Sequence, residues 1–214
     1  MMNRMIRKAA DIPIRAAEPA WDIARLFPSQ GDWSEEEYLA LTRNTNHFVE
    51  FIDGKVEVLE MPTLTHQLIV AFLSRLIFDF VSSNDLGIAI FGPLRVRLRA
   101  RLIREPDVMV MLKENSSRAG EEFWEGADVA VEVVSKDDKS RRRDLKEKRE
   151  DYAQAGVREY WIVDPQEQQI TILKLAGKSY KIHGQWTGKE TASSSLLKGF
   201  EVQVNKVFEA GKSR

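Results

Sequence analysis

Glu132 lies inside the run Val129-Ala130-Val131-Glu132-Val133-Val134, an apolar, β-branched stretch that reads as a strand buried on both faces. A carboxylate in such a strand is costly unless it is paired or holds a cation. Taken alone, Glu132 suits a buried ion pair as well as it suits a metal ligand. Asp107 follows Pro106 at the start of a second apolar run, Asp107–Leu112, so two neighbouring strands could bring the carboxylates together. Alone, it reads equally as a turn-forming aspartate beside a proline. Converging carboxylates without soft ligands favour magnesium or manganese. The chain has no cysteine and only three histidines, His47, His66 and His183, too thin a supply for a protein-built zinc site or a thiol nucleophile. Lys148 sits in a helical stretch with Asp144 and Tyr152 four residues to either side, so the three share one face. A lysine at that spacing is by itself ordinary solvated surface.

Arg95, Arg97, Arg99 and Arg101 alternate with Val96, Leu98 and Ala100, which aims four guanidiniums from one face of a strand. Such a row could follow a phosphate backbone; it could equally be a solvated face paired with acidic neighbours. Lys139 to Arg143, with Lys146, reads as a solvated charge run. Tyr160 and Trp161 read as core; His66, at a helix start, could assist the site, but reads first as a helix cap.

The elements that must position these groups follow from periodicity and punctuation. Residues 1–32 mix charges, alanines and prolines and read as an N-terminal arm; residues 33–210 form one domain. Ser34 followed by Glu37 is a capping box opening a short helix. Asp53-Gly54 separates two alternating stretches, His47–Asp53 and Lys55–Glu60, as a two-residue hairpin. Leu68, Ile69, Phe72, Leu73, Leu76, Ile77 and Phe80 recur at helical spacing and predict a long core helix. Strands are expected at Ile88–Phe91, Leu94–Arg101, Asp107–Leu112, Asp128–Ser135 and Glu159–Val163, with a helix over Arg141–Ala155 closed by Gly156. A polar loop spans Lys113–Gly126, with room for a helical turn around Glu122; short strands follow near Ile170–Leu175 and Tyr180–His183, and a last element near Val202–Phe208. Helices between strands, with hairpins at both ends, make an α/β fold with a central mixed β-sheet flanked by helices.

The bulk figures narrow the function classes. A chain of 214 residues suits one domain with a full core, and 43% hydrophobic with 30% charged residues is ordinary for a globular protein. A formal net charge of -1 means that any nucleic-acid face must be local. The longest apolar stretch, Leu64 to Val81, is broken by polar residues, so no membrane span is expected. With no signal peptide recognised, a cytoplasmic protein is the expectation.

Pro106-Asp107, Glu132 on a second strand and a following lysine together resemble the PD-(D/E)XK pattern of restriction-endonuclease-like nucleases. The likeness is closer to one branch, the Uma-type restriction endonucleases. It is carried by Phe51-Ile52-Asp53-Gly54-Lys55, Met61-Pro62 with His66, Arg104-Glu105-Pro106-Asp107-Val108, Val131 to Ser135, and Arg143-Asp144-Leu145 leading to Lys148. The longest piece runs from Tyr152-Ala153-Gln154-Ala155-Gly156-Val157 through Glu159-Tyr160-Trp161-Ile162-Val163-Asp164-Pro165. Val134 occupies the position where the general motif has its lysine; in this branch the lysine has moved to the next helix, and Lys148 is the matching residue, with Lys146 the other candidate.

The resemblance implies a restriction-endonuclease-like core and magnesium- or manganese-dependent hydrolysis of DNA. It implies Asp107 and Glu132 as metal ligands, with the Val133 carbonyl as an extra one, and Lys148 as the residue that orients water or neutralises charge. It also matches Glu50 to an acidic residue beside the site that completes the metal shell, and implies a homodimer, since cutting both strands takes two sites. A rival of another class is an inert nuclease-fold protein that binds nucleic acid or a partner, for instance within a mobile element.

Overall fold

The structure, a computed structural model, describes residues 27–43 and 48–212. Most of the expected arm, and His47 at the start of the first hairpin, lie outside those residues.

Helix α1 (Glu35–Thr42) opens on the expected capping box: the Glu37 carboxylate accepts from Ser34 N at 2.8 Å while Ser34 Oγ accepts from Glu37 N at 3.2 Å. Strands β1 (Val49–Ile52) and β2 (Lys55–Val58) then form the Asp53-Gly54 hairpin. Both turn residues have positive φ, 47° and 84°, as a tight right-twisted hairpin requires. Gly54 has a second reason to be glycine, because a Cβ there would strike the Gly31 carbonyl.

Helix α2 (Leu64–Ser83) is the long core helix. Contrary to the sequence expectation, its length and apolarity are sufficient to cross a membrane. Packing accounts for its character: Ile69, Leu73, Ile77 and Val81 are buried in the core against the sheet, as they would be in any such core helix.

Strands β3 (Gly87–Phe91), β4 (Arg95–Arg99), β5 (Leu102–Arg104), β6 (Val108–Leu112), β7 (Phe123–Glu125) and β8 (Val129–Val133) follow. The expected strand Leu94–Arg101 ends early, at Arg99, because the chain reverses at Ala100 and Arg101, the latter with φ 63°, into β5, which the spacing did not predict. The expected polar loop holds a 3₁₀ turn (Lys113–Arg118) and β7. After β8 come α3 (Asp138–Arg142), a π-helical turn (Arg143–Glu147) and α4 (Lys148–Gln154), then β9 (Glu159–Asp164), β10 (Gln169–Ala176), β11 (Ser179–Thr187), β12 (Thr191–Ser193), β13 (Glu201–Gln203) and α5 (Val204–Ala210).

The central sheet is mixed, in the order β11-β10-β9-β8-β6-β3, with β8 and β9 parallel and joined through the α3–α4 crossover. A second sheet, β2-β1-β5-β4-β7, stands beside it. Strand alternation divides the core. Val108, Val110, Val129, Val131, Val133, Trp161 and Val163 face α2 and α5, while Met109, Met111, Ala130, Tyr160 and Ile162 face α4 and the second sheet. Tyr160 and Trp161 are core, as expected.

The Ser-rich turn Ser193–Ser195 is pinned by a buried acid. Glu159, fully buried, accepts from Trp161 Nε1 at 2.8 Å, Ser194 Oγ at 2.6 Å, Ser195 N at 2.7 Å and Leu196 N at 2.9 Å. Glu159→Ala strands four donors at once, so we expect a loss of about 3 kcal/mol or more. A urea midpoint within error of wild type would show that the turn is held by other contacts.

Candidate active site

The antiparallel register of β6 and β8 pairs Val108 with Val131; one residue further along, it sets Asp107 opposite Glu132. Both side chains take the parity of Met109 and Ala130; Glu132 meets Tyr152 and Lys148 of α4, while Asp107, at the strand end, also comes within reach of His66 on α2. Directly opposed residues carry Cβ atoms about 5 Å apart. Asp107 Oδ2 accepts from Val133 N at 2.8 Å and lies 3.3 Å from His66 Nε2. Glu132 Oε1 accepts from the Tyr152 hydroxyl at 2.7 Å, and its Oε2 lies 2.9 Å from Lys148 Nζ.

The π-helical turn, unexpected from the regular spacing of Arg141–Ala155, sets the helical face. Its wider coil buries Arg143 and Asp144 just before the buried Lys148. Lys148 Nζ lies 3.4 Å from Asp144 Oδ1 and 3.5 Å from Glu50 Oε1, while Lys146 is exposed. Of the two candidate lysines, Lys148 is therefore the one in the cluster.

Three carboxyl groups, Glu50, Glu132 and Asp144, compete for that ammonium. Burial pushes Glu132 up to about 8 against the pull of Lys148, with Asp107 and Asp144 adding to the push. Burial also raises Asp144. Burial opposes the charge of Lys148, but Glu132, Glu50 and Asp144 override it and raise its pKa, so it stays protonated. Burial likewise opposes the charge of Glu50, which Lys148 and Arg104 nevertheless hold down at about 2. Both partners of the Glu132–Lys148 pair are shifted upward, which is the behaviour of a cluster with more anions than cations.

A cleft of about 70 Å³ opens onto the cluster, lined by His66, Glu105, Asp107, Glu132, Val133 and Lys148 among others. Among the described residues, the buried side-chain atoms without a hydrogen-bond partner are His66 Nδ1, Glu105 Oε2, Arg143 Nε and Asp144 Oδ1, and all four belong to residues lining this cleft. Unsatisfied polar groups concentrated in one cleft mark a place built for a polar ligand. No three of the described His, Asp or Glu residues converge as a ready-made metal cage. Magnesium does not need one: it keeps several waters and takes one or two carboxylates plus substrate oxygens. The excess of carboxylate, the absence of thiolate and the solvent access of Asp107 (22% exposed) fit such a cation.

Other expected participants stand elsewhere. Glu50 is brought to Lys148 but not to the cleft surface; its oxygens are taken by Arg104 Nη1 at 2.6 Å, Glu105 N at 3.2 Å and Lys148. Glu50, fully buried, therefore stands behind the lysine and away from the cleft lining. The arginine row is broken. Arg101 sits in the turn after β4, Arg97 pairs with Glu35 and Glu125, Arg99 pairs with Asp53, and Arg95 donates to Thr42 O at 3.3 Å with Glu105 3.7 Å away. His66 does not cap its helix; Thr63 Oγ1 does so, accepting from His66 N at 3.2 Å, which frees the imidazole to face Asp107. Val133 lines the cleft, with its N–H taken by Asp107.

The family described as "Uma2: Putative restriction endonuclease" matches residues 35–205. The chain belongs to the Uma2 family. Among solved structures, this Uma2 chain is similar to a "putative nuclease belonging to DUF820" from Anabaena variabilis ATCC 29413, at 18% identity and a TM-score of 0.67. The similarity covers 83% of the Uma2 chain described here and 98% of the other, and establishes a shared fold. No curated protein matches the sequence.

Several members of this Uma2 site were not legible as such. Arg104, 1% exposed, holds Glu50 on one side and Asp151 Oδ2, at 2.6 Å, on the other. Its signal was a cation ending the apolar strand Leu102-Ile103-Arg104. Arg143 was hidden in a charge run, and only the π-helical turn separates it from its solvated neighbours. Tyr152 was placed on the right face, but its bond to Glu132 needed the tertiary fold.

Proposed function

We propose that this protein is a divalent-metal-dependent endonuclease that hydrolyses phosphodiester bonds in DNA. The carrying observation is Asp107 set across from Glu132, with Lys148 Nζ 2.9 Å from Glu132, inside a cleft that gathers the unsatisfied polar atoms. The Uma2 match and the fold shared with a protein described as a nuclease support the reading.

Asp107 and Glu132 would hold magnesium or manganese, which when bound supplies Lewis acidity toward a water and the phosphate oxygens. The protein's own groups do the rest. Val133 N and His66 fix the orientation of Asp107, and Tyr152 and Lys148 fix that of Glu132. Lys148, protonated, can orient an attacking water and offset charge gathering on the phosphate. Glu50 and Arg104 keep the lysine in place from behind. A cytoplasmic homodimer, with one site for each strand, completes the reading.

The cleft is lined by five carboxylic residues (Glu60, Glu105, Asp107, Glu132 and Asp144) against Arg143 and Lys148, so a phosphate is repelled until a cation joins it. Supercoiled plasmid should accordingly be cut with magnesium and left intact with EDTA. Plasmid intact in both, alongside a gel shift in calcium, would favour the inert binder; no shift in either would remove DNA from the reading.

A further inference from the structure

We infer that Arg143 is the phosphate-binding residue of the cleft, taking the non-bridging oxygens of a phosphodiester on its guanidinium. The inference rests on the nuclease reading for the identity of the larger substrate, but the ligand chemistry comes from the residue itself.

Arg143 lies on the π-helical turn and is 8% exposed. Its Nε is buried without a hydrogen-bond partner, and the nearest acidic oxygen, Asp144 Oδ1, is 3.7 Å away, beyond hydrogen-bond reach. A buried guanidinium with an unmet donor is expensive to maintain. Every other cation lining the cleft, among the described residues, is already engaged. Lys148 is divided among Glu132, Asp144 and Glu50, and His66 faces Asp107. Arg143 is thus the cation with donors to spare where an anion must arrive. Its planar fork matches two phosphate oxygens at once, which an ammonium cannot do. Ser140, one turn earlier, lines the same cleft and places a hydroxyl-bearing residue beside it.

The same reasoning removes the arginines of β4 from the role. Arg97 and Arg99 already donate to Glu125, Glu35 and Asp53, so a phosphate would have to displace those carboxylates.

The test titrates the full-length protein with dimethyl phosphate, the smallest phosphodiester, in millimolar calcium while arginine Nε–H signals are followed by NMR. The signal missing from Arg143→Gln should move saturably; if no arginine signal moves in wild type, the assignment is overturned, whether or not the variant folds. In parallel, the anisotropy of a labelled duplex is measured across salt. Arg143→Gln should weaken binding about tenfold and lower the slope of log K against log salt by about one. Arg143→Lys, which keeps the charge and loses the fork, should recover part of the affinity, and Arg97→Ala with Arg99→Ala should change neither quantity. An Arg143→Gln protein with wild-type affinity and slope overturns the inference. The two readings separate cleanly. If dimethyl phosphate moves Arg143 but plasmid is never cut, the phosphate site stands and the nuclease reading fails. If plasmid is cut by Arg143→Gln with unchanged KM, the nuclease reading stands and the phosphate site fails.

Discussion

Asp107→Asn, Glu132→Gln and Lys148→Ala should each lower plasmid cleavage by at least about a thousandfold, the scale of losing a group that acts on the transition state. The double variants should be no slower than the slower single one, because residues working as one unit are not additive. The three differ in what they do to the fold. Lys148→Ala leaves Glu132, Asp144 and Glu50 without their shared cation, and removing one partner of a buried cluster costs about 3–5 kcal/mol. Its inactivity is therefore informative only beside the other two, which alter one polar group without opening a cavity. Lys146→Ala, at an exposed position, should cut normally. Full activity in Glu132→Gln would end the case for the site, whatever the lysine variants do.

The second large effect concerns stability without substrate. In the metal-free protein burial holds Glu132 up at about 8, against an ordinary value of 4.5. The folded state therefore binds that proton more tightly than the unfolded chain does. The stability it contributes is fully present below pH 4.5 and is lost as the pH rises toward 8. Each unit of such a shift is worth about 1.4 kcal/mol. Glu132→Gln cannot lose a proton, so it should melt near wild type at pH 5 and clearly above it at pH 8, with EDTA present throughout. Lys148 still has Glu50 and Asp144 in the variant, so the gain is not spent on an abandoned cation. Asp107 is the weaker choice for this experiment, since Val133 N and His66 already compensate its charge. Magnesium at about ten times its Kd should add about 1.4 kcal/mol to wild type, and much less to Glu132→Gln. Should wild type melt identically with and without magnesium, and Glu132→Gln melt lower at every pH, Glu132 is a structural acid and the metal site is lost.

The separation between what was legible in the chain and what was not follows physical range. Elements set by neighbours in sequence were readable: the Ser34 capping box, the Asp53-Gly54 hairpin with both residues at positive φ, the amphipathic α2, and the doubly buried strand around Glu132. Their signals are local periodicity and local backbone chemistry. The opposition of Asp107 and Glu132 was suggested by the two apolar runs, yet it depends on one strand register, and a slip of one residue would turn one carboxylate to the α2 side. Pairings across distance were not readable. Nothing local in the alternation of Arg95 to Arg101 announces that Glu35, Glu125 and Asp53 come to meet those arginines, nor that the chain turns at Ala100. Nothing local to Glu50 shows that Arg104 and Lys148 close over it. Arg143 shared its composition with a solvated charge run until one π-helical turn rotated it inward. Residue types thus narrowed which chemistry was available, because a chain without cysteine, with few histidines and with acids in buried strands offers mainly hard oxygen ligands. Tertiary structure decided which charges remain unspent, because a charge is neutralised by whatever the fold brings within a few ångströms, and that distance is not written in sequence separation.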